Sequence, residues 1–247
     1  MAGYDFRNIR LFVETPLREG AIVTPDKAQA HYLTNVMRRK SGSGILLFNG
    51  RDGEWEATVE VQKRGASLQV GLRKRAQTDA ADLRYLFAPL KAARLDYMVQ
   101  KAVEMGVSRL QPVLTRHGQV ARVNSARMRA NSIEAAEQCG ILVLPDIDEP
   151  APLARLIAEL EPNRHLVFCD EDAELSDPIA ALSALPPRSP LALLIGPEGG
   201  FAEDERAALL KLPNVVRLAL GPRILRADTA AVAALALIQA VVGDWRS

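Results

Sequence analysis

Apolar positions in the first 75 residues come in short bursts separated by turn signals. Residues 44–48 and 55–61 read as strands, bounded by Ser41-Gly42-Ser43-Gly44 and Asn49-Gly50-Arg51-Asp52-Gly53. That spacing predicts the hairpins of a small β-barrel. Residues 31–39 predict a short helix that closes on a basic cluster, Arg38-Arg39-Lys40. A polar connector over 73–80 follows, and the boundary is placed between 75 and 76.

Beyond it the period of the pattern changes. Residues 85–89 predict a strand, and 92–105 a helix with Leu95, Met98, Ala102 and Met105 on one face and Gly106 as its stop. Residues 109–114 predict a strand and 125–139 a helix with a Ser or Asn cap and Gly140 at its end. The continuous apolar runs at 166–169, 191–195 and 215–220 are expected of strands buried on both faces. Ser176-Asp177-Pro178 opens one helix, and 228–242 form a long terminal one. Strands alternating with helices predict an α/β domain with a mostly parallel sheet over 76–247.

Composition narrows the class. With 48% hydrophobic and 25% charged residues, 247 residues suffice for two domains with cores of their own. Charges among the apolar residues of 1–17 argue against a signal peptide. The most apolar stretch, 230–242, is alanine-rich, short of a membrane span and interrupted by Gln239, so it reads as a core helix. Two cysteines and three scattered histidines offer no metal-ligand spacing and no disulfide framework, and suit a reducing, cytoplasmic setting. Cys139 and Cys169 read as small buried hydrophobes. Trp55 and Trp245 read as packing residues, and His31, His117 and His165 as surface or capping residues.

Net charge is only +1, but its distribution is uneven. Residues 1–75 hold 13 Lys+Arg against 8 Asp+Glu, a balance of +5, whereas 76–247 hold 18 against 22, a balance of −4. Any field that attracts a polyanion therefore lies on the first third, although an ordinary solvated basic face is the commoner explanation of such an excess.

Two segments exceed what a plain α/β core needs. Ile195-Gly196-Pro197-Glu198-Gly199-Gly200-Phe201 leaves a buried strand on a loop where backbone can approach a ligand, although a tight connecting turn would look the same. Glu203, Asp204 and Glu205 in the next helical turn would repel a phosphate, and neither a Walker loop nor a GxGxxG fingerprint occurs. The second segment, Leu218 to Ala230, turns on Gly221-Pro222 and delivers Arg223, Arg226, Asp228 and Thr229 ahead of an apolar helix. Asp228 or Thr229 would serve as the helix N-cap. Arg226 has no such structural use, because the helix dipole disfavours a cation there.

Together these segments, 195–201 and 220–230, resemble the signature of the RsmE family, bacterial SAM-dependent 16S ribosomal RNA uridine N3-methyltransferases of the SPOUT class. The resemblance spans most of the chain. His31-Tyr32-Leu33 to Val36-Met37-Arg38 and Leu47 to Trp55 look like that family's N-terminal PUA-like barrel. Gln100 to Val107 and Glu134 to Gly140 look like its two middle motifs. The chain departs from the pattern at Ala227-Asp228, where the family more often has Thr-Glu. Asp keeps the carboxylate with a shorter reach, and Ala removes a hydroxyl.

The resemblance implies a PUA-like β-barrel over 1–75 and a SPOUT α/β domain with a deep trefoil knot over 76–247. SAM would be held by Phe168, by Ile195, Gly196, Pro197, Glu198, Gly199 and Gly200, and by Leu218, Leu220, Gly221, Ile224 and Leu225. Methyl transfer needs in-line positioning, and uracil N3 must lose its proton. Arg226 is expected to stabilise the developing charge, with Asp228 and Thr229 orienting the base or accepting the proton. Arg7, Arg10, Arg38, Arg39, Lys40 and Arg223 are expected to contact RNA. A cytoplasmic homodimer acting on 16S rRNA, with no metal and no membrane, is the expected setting. The competing readings are a ribose 2′-O or guanine-N1 methyltransferase of the same class, and a non-catalytic RNA-binding assembly factor.

Overall fold

In the computed structural model, which describes residues 8–63, 65–120, 122–171, 173 and 177–246, the chain divides into two units. One comprises the residues up to Asp79 together with Ile133–Leu144, the other Ala80–Ser132 and the chain from Pro145 onward. The first unit thus takes a segment from the middle of the sequence as well as its beginning.

In the first unit the elements are β1 (Arg10–Phe12), β2 (Ile22–Val23), α1 (Lys27–His31), β3 (Gly44–Phe48), β4 (Glu54–Val61) and β5 (Ala66–Arg75). The strands form one sheet in the order β1-β3-β4-β5-β2, with β1 parallel to β3 and the other pairs antiparallel. Alternate residues point inward, as the two-residue period requires: Ala57 and Val59 on β4 and Ala66, Leu68 and Val70 on β5 meet Ile45 and Leu47 of β3. The β3–β4 turn is held by Asn49, whose Oδ1 accepts the Arg51 and Asp52 N–H groups. Gly53 closes it with φ +84°, and a Cβ there would lie 2.3 Å from the Arg75 carbonyl oxygen. The helix predicted over 31–39 starts earlier. Asp26 caps it and Gln29 returns the bond to the Asp26 N–H, a capping box that fixes the first turn at Lys27. A π-helical turn, Tyr32–Val36, then leads to Arg38 at φ +50°.

Arg10 is not the surface cation that its place in a basic segment suggests. Its guanidinium is buried over the Phe48 ring, 4.3 Å from the centroid, with Nε 2.6 Å from Glu54 Oε1. Arg10 also donates to the carbonyls of Ala136, Glu137 (3.1 Å) and Ile141 (2.8 Å), and Arg75 donates to Glu54 and to the Gly140 carbonyl. These carbonyls end a helix, where the last C=O groups lack intrahelical partners and favour a cation.

The second unit contains β6 (Leu83–Phe87), α2 (Ala92–Glu104), β7 (Arg109–Leu114), α3 (Ser125–Cys139, whose later part lies in the first unit), β8 (Asp146–Ile147), β9 (Ala151–Pro152) and α4 (Leu153–Ala158). It continues with β10 (His165–Cys169), α5 (Pro178–Ser183), β11 (Leu191–Ile195), α6 (Glu203–Leu210), β12 (Val215–Leu218) and α7 (Ala227–Val241). The sheet order is β12-β10-β11-β6-β7-β8, with β9 beside β7, and every pairing is parallel. Tyr85, Leu193 and Val167 face one core with α2 and α7, and Leu86, Leu194 and Phe168 face a second with α4 and α6. Layers on both faces explain the continuous apolar runs. Asp177 caps α5 with Pro178 in its first turn, Asn124 accepts the Arg127 N–H at the start of α3, and Ser176 lies outside the described residues.

The terminal apolar stretch is a core helix, with Ala231, Ala234, Leu235 and Ile238 buried in α7. No helix among the described residues is long and apolar enough to cross a membrane. Two packing expectations are corrected. Cys139 is exposed at the end of α3, and Trp245 is 57% exposed because the chain has left the core after α7. Trp55 does pack on the first core, donating Nε1–H to the Asp52 carbonyl at 2.9 Å.

Burial alone would raise the Glu54 pKa, but hydrogen bonds from Arg75 and Arg10 outweigh it and hold the carboxyl below the usual range. A lowered folded value stabilises fully above the unfolded glutamate pKa of about 4.3 and is lost as pH falls through the lowered value. Glu54→Gln should therefore cost most stability at neutral pH, by about 3–5 kcal/mol, with the gap to wild type shrinking in acid. Denaturant melts from pH 7 to 3 measure it; a gap independent of pH would contradict the assignment.

Candidate cofactor and substrate site

Parallel pairing brings the C-terminal ends of β12, β10 and β11 side by side. The loops that leave them enclose a cavity of about 630 Å³, at the strand ends where open parallel sheets bind ligands. Cys169, Ile195 and Leu218 end the three strands and, with Phe168, line it. Of the residues expected to hold a cofactor, Gly196, Pro197, Glu198, Gly200, Leu220, Gly221, Ile224 and Leu225 also line it, and Gly199 does not. The Gly199 carbonyl instead meets His117 Nδ1 at 3.2 Å.

The glycines have specific duties. A Cβ on Gly196 would lie 2.4 Å from the Phe201 ring, which folds back over the loop and packs edge-on against Phe168 with centroids 5.3 Å apart. Gly200, at φ +68°, closes a turn in which its N–H donates to the Pro197 carbonyl at 3.0 Å. Two of the three acidic residues at the start of α6 have local partners. Glu205 accepts the Ala202 and Arg116 N–H groups and Asp204 pairs with Arg116 at 2.6 Å.

Arg223 and Arg226 both line the cavity from exposed positions. Arg226, not Asp228 or Thr229, occupies the N-cap position of α7, with extended backbone at φ −66° and ψ 152° and no side-chain capping bond. Neither Asp228 nor Thr229 lines the cavity. The Asp228 carboxylate turns to Arg94, at 3.1 Å from Nε and 3.2 Å from Nη2, and also accepts the Thr229 N–H at 3.0 Å. Hydrogen bonds from Arg94 hold its carboxyl below the ordinary aspartate range.

Sequence reasoning missed several residues. Asp170, buried just past β10, accepts from Arg206 Nη2 and Arg217 Nε at 2.9 Å each and forms part of the cavity wall. Arg94 was missed as well. The only signal for either was an unexplained charge beside an apolar segment, because each pairing closes over a long stretch of chain. Cys169 also lines the cavity, but burial pushes its thiol up to about 12, which disqualifies it as a nucleophile at neutral pH. Among the described residues no group of three or more His, Cys, Asp or Glu is placed to hold a metal ion.

In the first unit, Arg38 and Lys40 are exposed and Arg39 is half-buried, whereas Arg7 lies outside the described residues. The second unit thus offers an apolar-floored cavity walled by backbone and carboxylates, with two exposed guanidinium groups at one side.

The comparisons with known proteins agree with this geometry. Residues 77–239 match a family model described as an RNA methyltransferase domain, and 25–71 one described as an RNA methyltransferase PUA domain. The chain is similar to the ribosomal RNA small subunit methyltransferase E of Rickettsia conorii, 29% identical over 232 residues that cover 93% of this chain and 94% of that one. The protein of that name from Bacillus subtilis is 30% identical over 224 residues, 85% of this chain and 86% of that one. Among solved structures, a Legionella pneumophila protein in complex with bound SAM superposes with TM-score 0.80 at 27% identity, covering 95% of this chain and 98% of that chain.

Gly196→Ala should cost about 1–3 kcal/mol through overpacking, because the added methyl must displace Phe201 from Phe168. Urea denaturation reads this directly; unchanged stability would mean that the ring has room to swing away.

Proposed function

The chain belongs to the family of RNA methyltransferases that includes the small-subunit ribosomal RNA methyltransferase E enzymes, and on that premise we propose that it methylates N3 of a specific uridine in 16S rRNA with SAM as donor. The observation that carries this reading is the cavity at the ends of β10, β11 and β12 with Arg226 beside it.

The residues present fit the cofactor. Phe168, Ile195 and Leu218 supply apolar surface for a purine ring, and the absence of a side chain on Gly196 lets Phe201 fold against the loop that borders it. Of the carboxylates that line the cavity, Asp170 and Glu198 are already paired with arginines, and Glu171 is exposed and could face a cationic group. Bound there, SAM supplies an activated methyl group.

The chain's own residues deal with the acceptor. Uracil N3 carries a proton at neutral pH; its loss to solvent water spreads negative charge over the flanking carbonyl oxygens, and the N3 lone pair then takes the methyl group as the donor sulfur keeps the bonding electrons. Arg226 sits where the positive end of the α7 dipole adds to its guanidinium, so both stabilise that charge. Asp228, with its carboxylate held by Arg94, serves better as an anchor than as a proton acceptor. Thr229, exposed on the same turn but outside the cavity lining, would orient the base only from the cavity's rim.

The 1–75 segment acts as a PUA-like RNA platform for the catalytic domain of 76–247. Arg38, Arg39 and Lys40 with Arg7 provide phosphate contacts there, and Arg223 adds one beside the cavity. Arg10 is withdrawn from that set by its burial. The enzyme works as a cytoplasmic homodimer with the SPOUT knot in its catalytic domain.

Arg226→Ala should lower single-turnover methylation of 16S rRNA by about 10²–10³-fold while SAM affinity, read by calorimetry, stays close to wild type. Full turnover in that variant would remove Arg226 from the mechanism.

A further inference from the structure

The glycine loop and the start of α7 leave different strands, yet one side chain from a third element joins them. Arg94 stands in the first turn of α2, with Nη1 paired to Glu198 Oε1 on the glycine loop and Nε and Nη2 on the two oxygens of Asp228. A cation in a first helical turn opposes the helix dipole, so Arg94 is not placed there to stabilise α2. Its base is fixed, because Leu95, Met98 and Val99 share a core with Ala231, Leu235 and Ile238 of α7. Its far end reaches two segments that border the cavity. Glu198 lines the cavity, and Asp228 lies two residues beyond Arg226.

We propose that Arg94 is a positioning residue of the methyl-transfer site, whose single guanidinium sets the spacing between the glycine loop that receives the cofactor and the Arg226 end of α7 that meets the base. This rests on the methyltransferase reading above. It gives Asp228 a physical task. Both of its oxygens are committed to Arg94, and Oδ1 also to the Thr229 N–H, so the carboxylate fixes the first turn of α7 and through it the Arg226 backbone. The planar fork of arginine is what allows one residue to hold two carboxylates, and a lysine ammonium cannot reproduce it fully. In-line transfer tolerates little displacement, so loosening this tie acts mainly on turnover.

The test uses the full-length enzyme with SAM and 16S rRNA. Thermal melts without SAM establish folding, calorimetry gives SAM affinity, and single-turnover rates are taken at saturating SAM. Arg94→Ala should melt close to wild type and lose about 10²-fold in rate, with weaker SAM binding. Arg94→Lys should recover part of the loss, and millimolar guanidinium ion should partly restore Arg94→Ala. Asp228→Asn should be impaired in rate, and adding it to Arg94→Ala should cost little more, because the two act as one unit. An Arg94→Ala enzyme with wild-type rate and SAM affinity would overturn the proposal, as would independent, multiplying losses from Arg94→Ala and Asp228→Asn. Should Arg94→Ala fail to fold, Arg94→Lys and Asp228→Asn read the same coupling. Wild-type binding and turnover in the same assays carry the functional reading by themselves, so their absence would overturn that reading and not merely the role of Arg94.

Discussion

The parallel pairing of β12, β10 and β11 is the constraint on which the rest depends. Parallel strands need crossover connections, and those connections cover both faces of the sheet with helices. Along β10 and β11 the backbone is paired on both sides, so those strands have little left to offer a ligand. At their C-terminal ends the commitment stops for three adjacent strands at once. Backbone N–H and C=O groups become available there over an apolar floor, and the glycines let the loops turn without filling the space they enclose. The cavity is a consequence of the topology before it is a consequence of any one side chain.

The arginines show how the same residue type serves two ends. Arg10 and Arg75 are spent on Glu54 and on the carbonyls at the end of α3. Arg206 and Arg217 are spent on Asp170, and Arg94 on Glu198 and Asp228. Glu198 is exposed, but Glu54, Asp170 and Asp228 are buried or half-buried, and such a carboxylate needs a partner to remain charged. Arg223 and Arg226 have no carboxylate partner within ion-pair distance among the described residues, and they lie at the cavity. Guanidinium groups left uncommitted at a ligand site are free to meet an anionic substrate or a developing charge.

Much of this was legible in the sequence, for identifiable reasons. Continuous apolar runs announced β10 and β11, and the 3.6-residue period announced α2. Gly106 and Gly140, both with positive φ in the structure, marked helix ends. Glycine loops after buried strands pointed to the cavity. The Asp26–Gln29 capping box was also there to be read, and neglecting it put α1 several residues late. Strands of two residues such as β8 and β9 leave no periodicity to detect. Arg10, Arg94 and Asp170 were illegible for another cause. Their meaning lies in partners brought close only by the fold, and a charged side chain looks the same in sequence whether it faces water or a buried carboxylate.

The most direct measurement is mass spectrometry of nucleosides from 16S rRNA purified from cells with and without this gene. Loss of 3-methyluridine in its absence, restored by the wild-type protein, is the result this account predicts. Unchanged 3-methyluridine would contradict it, and loss of a ribose-methylated or N1-methylguanosine residue instead would assign the same cavity to a different acceptor.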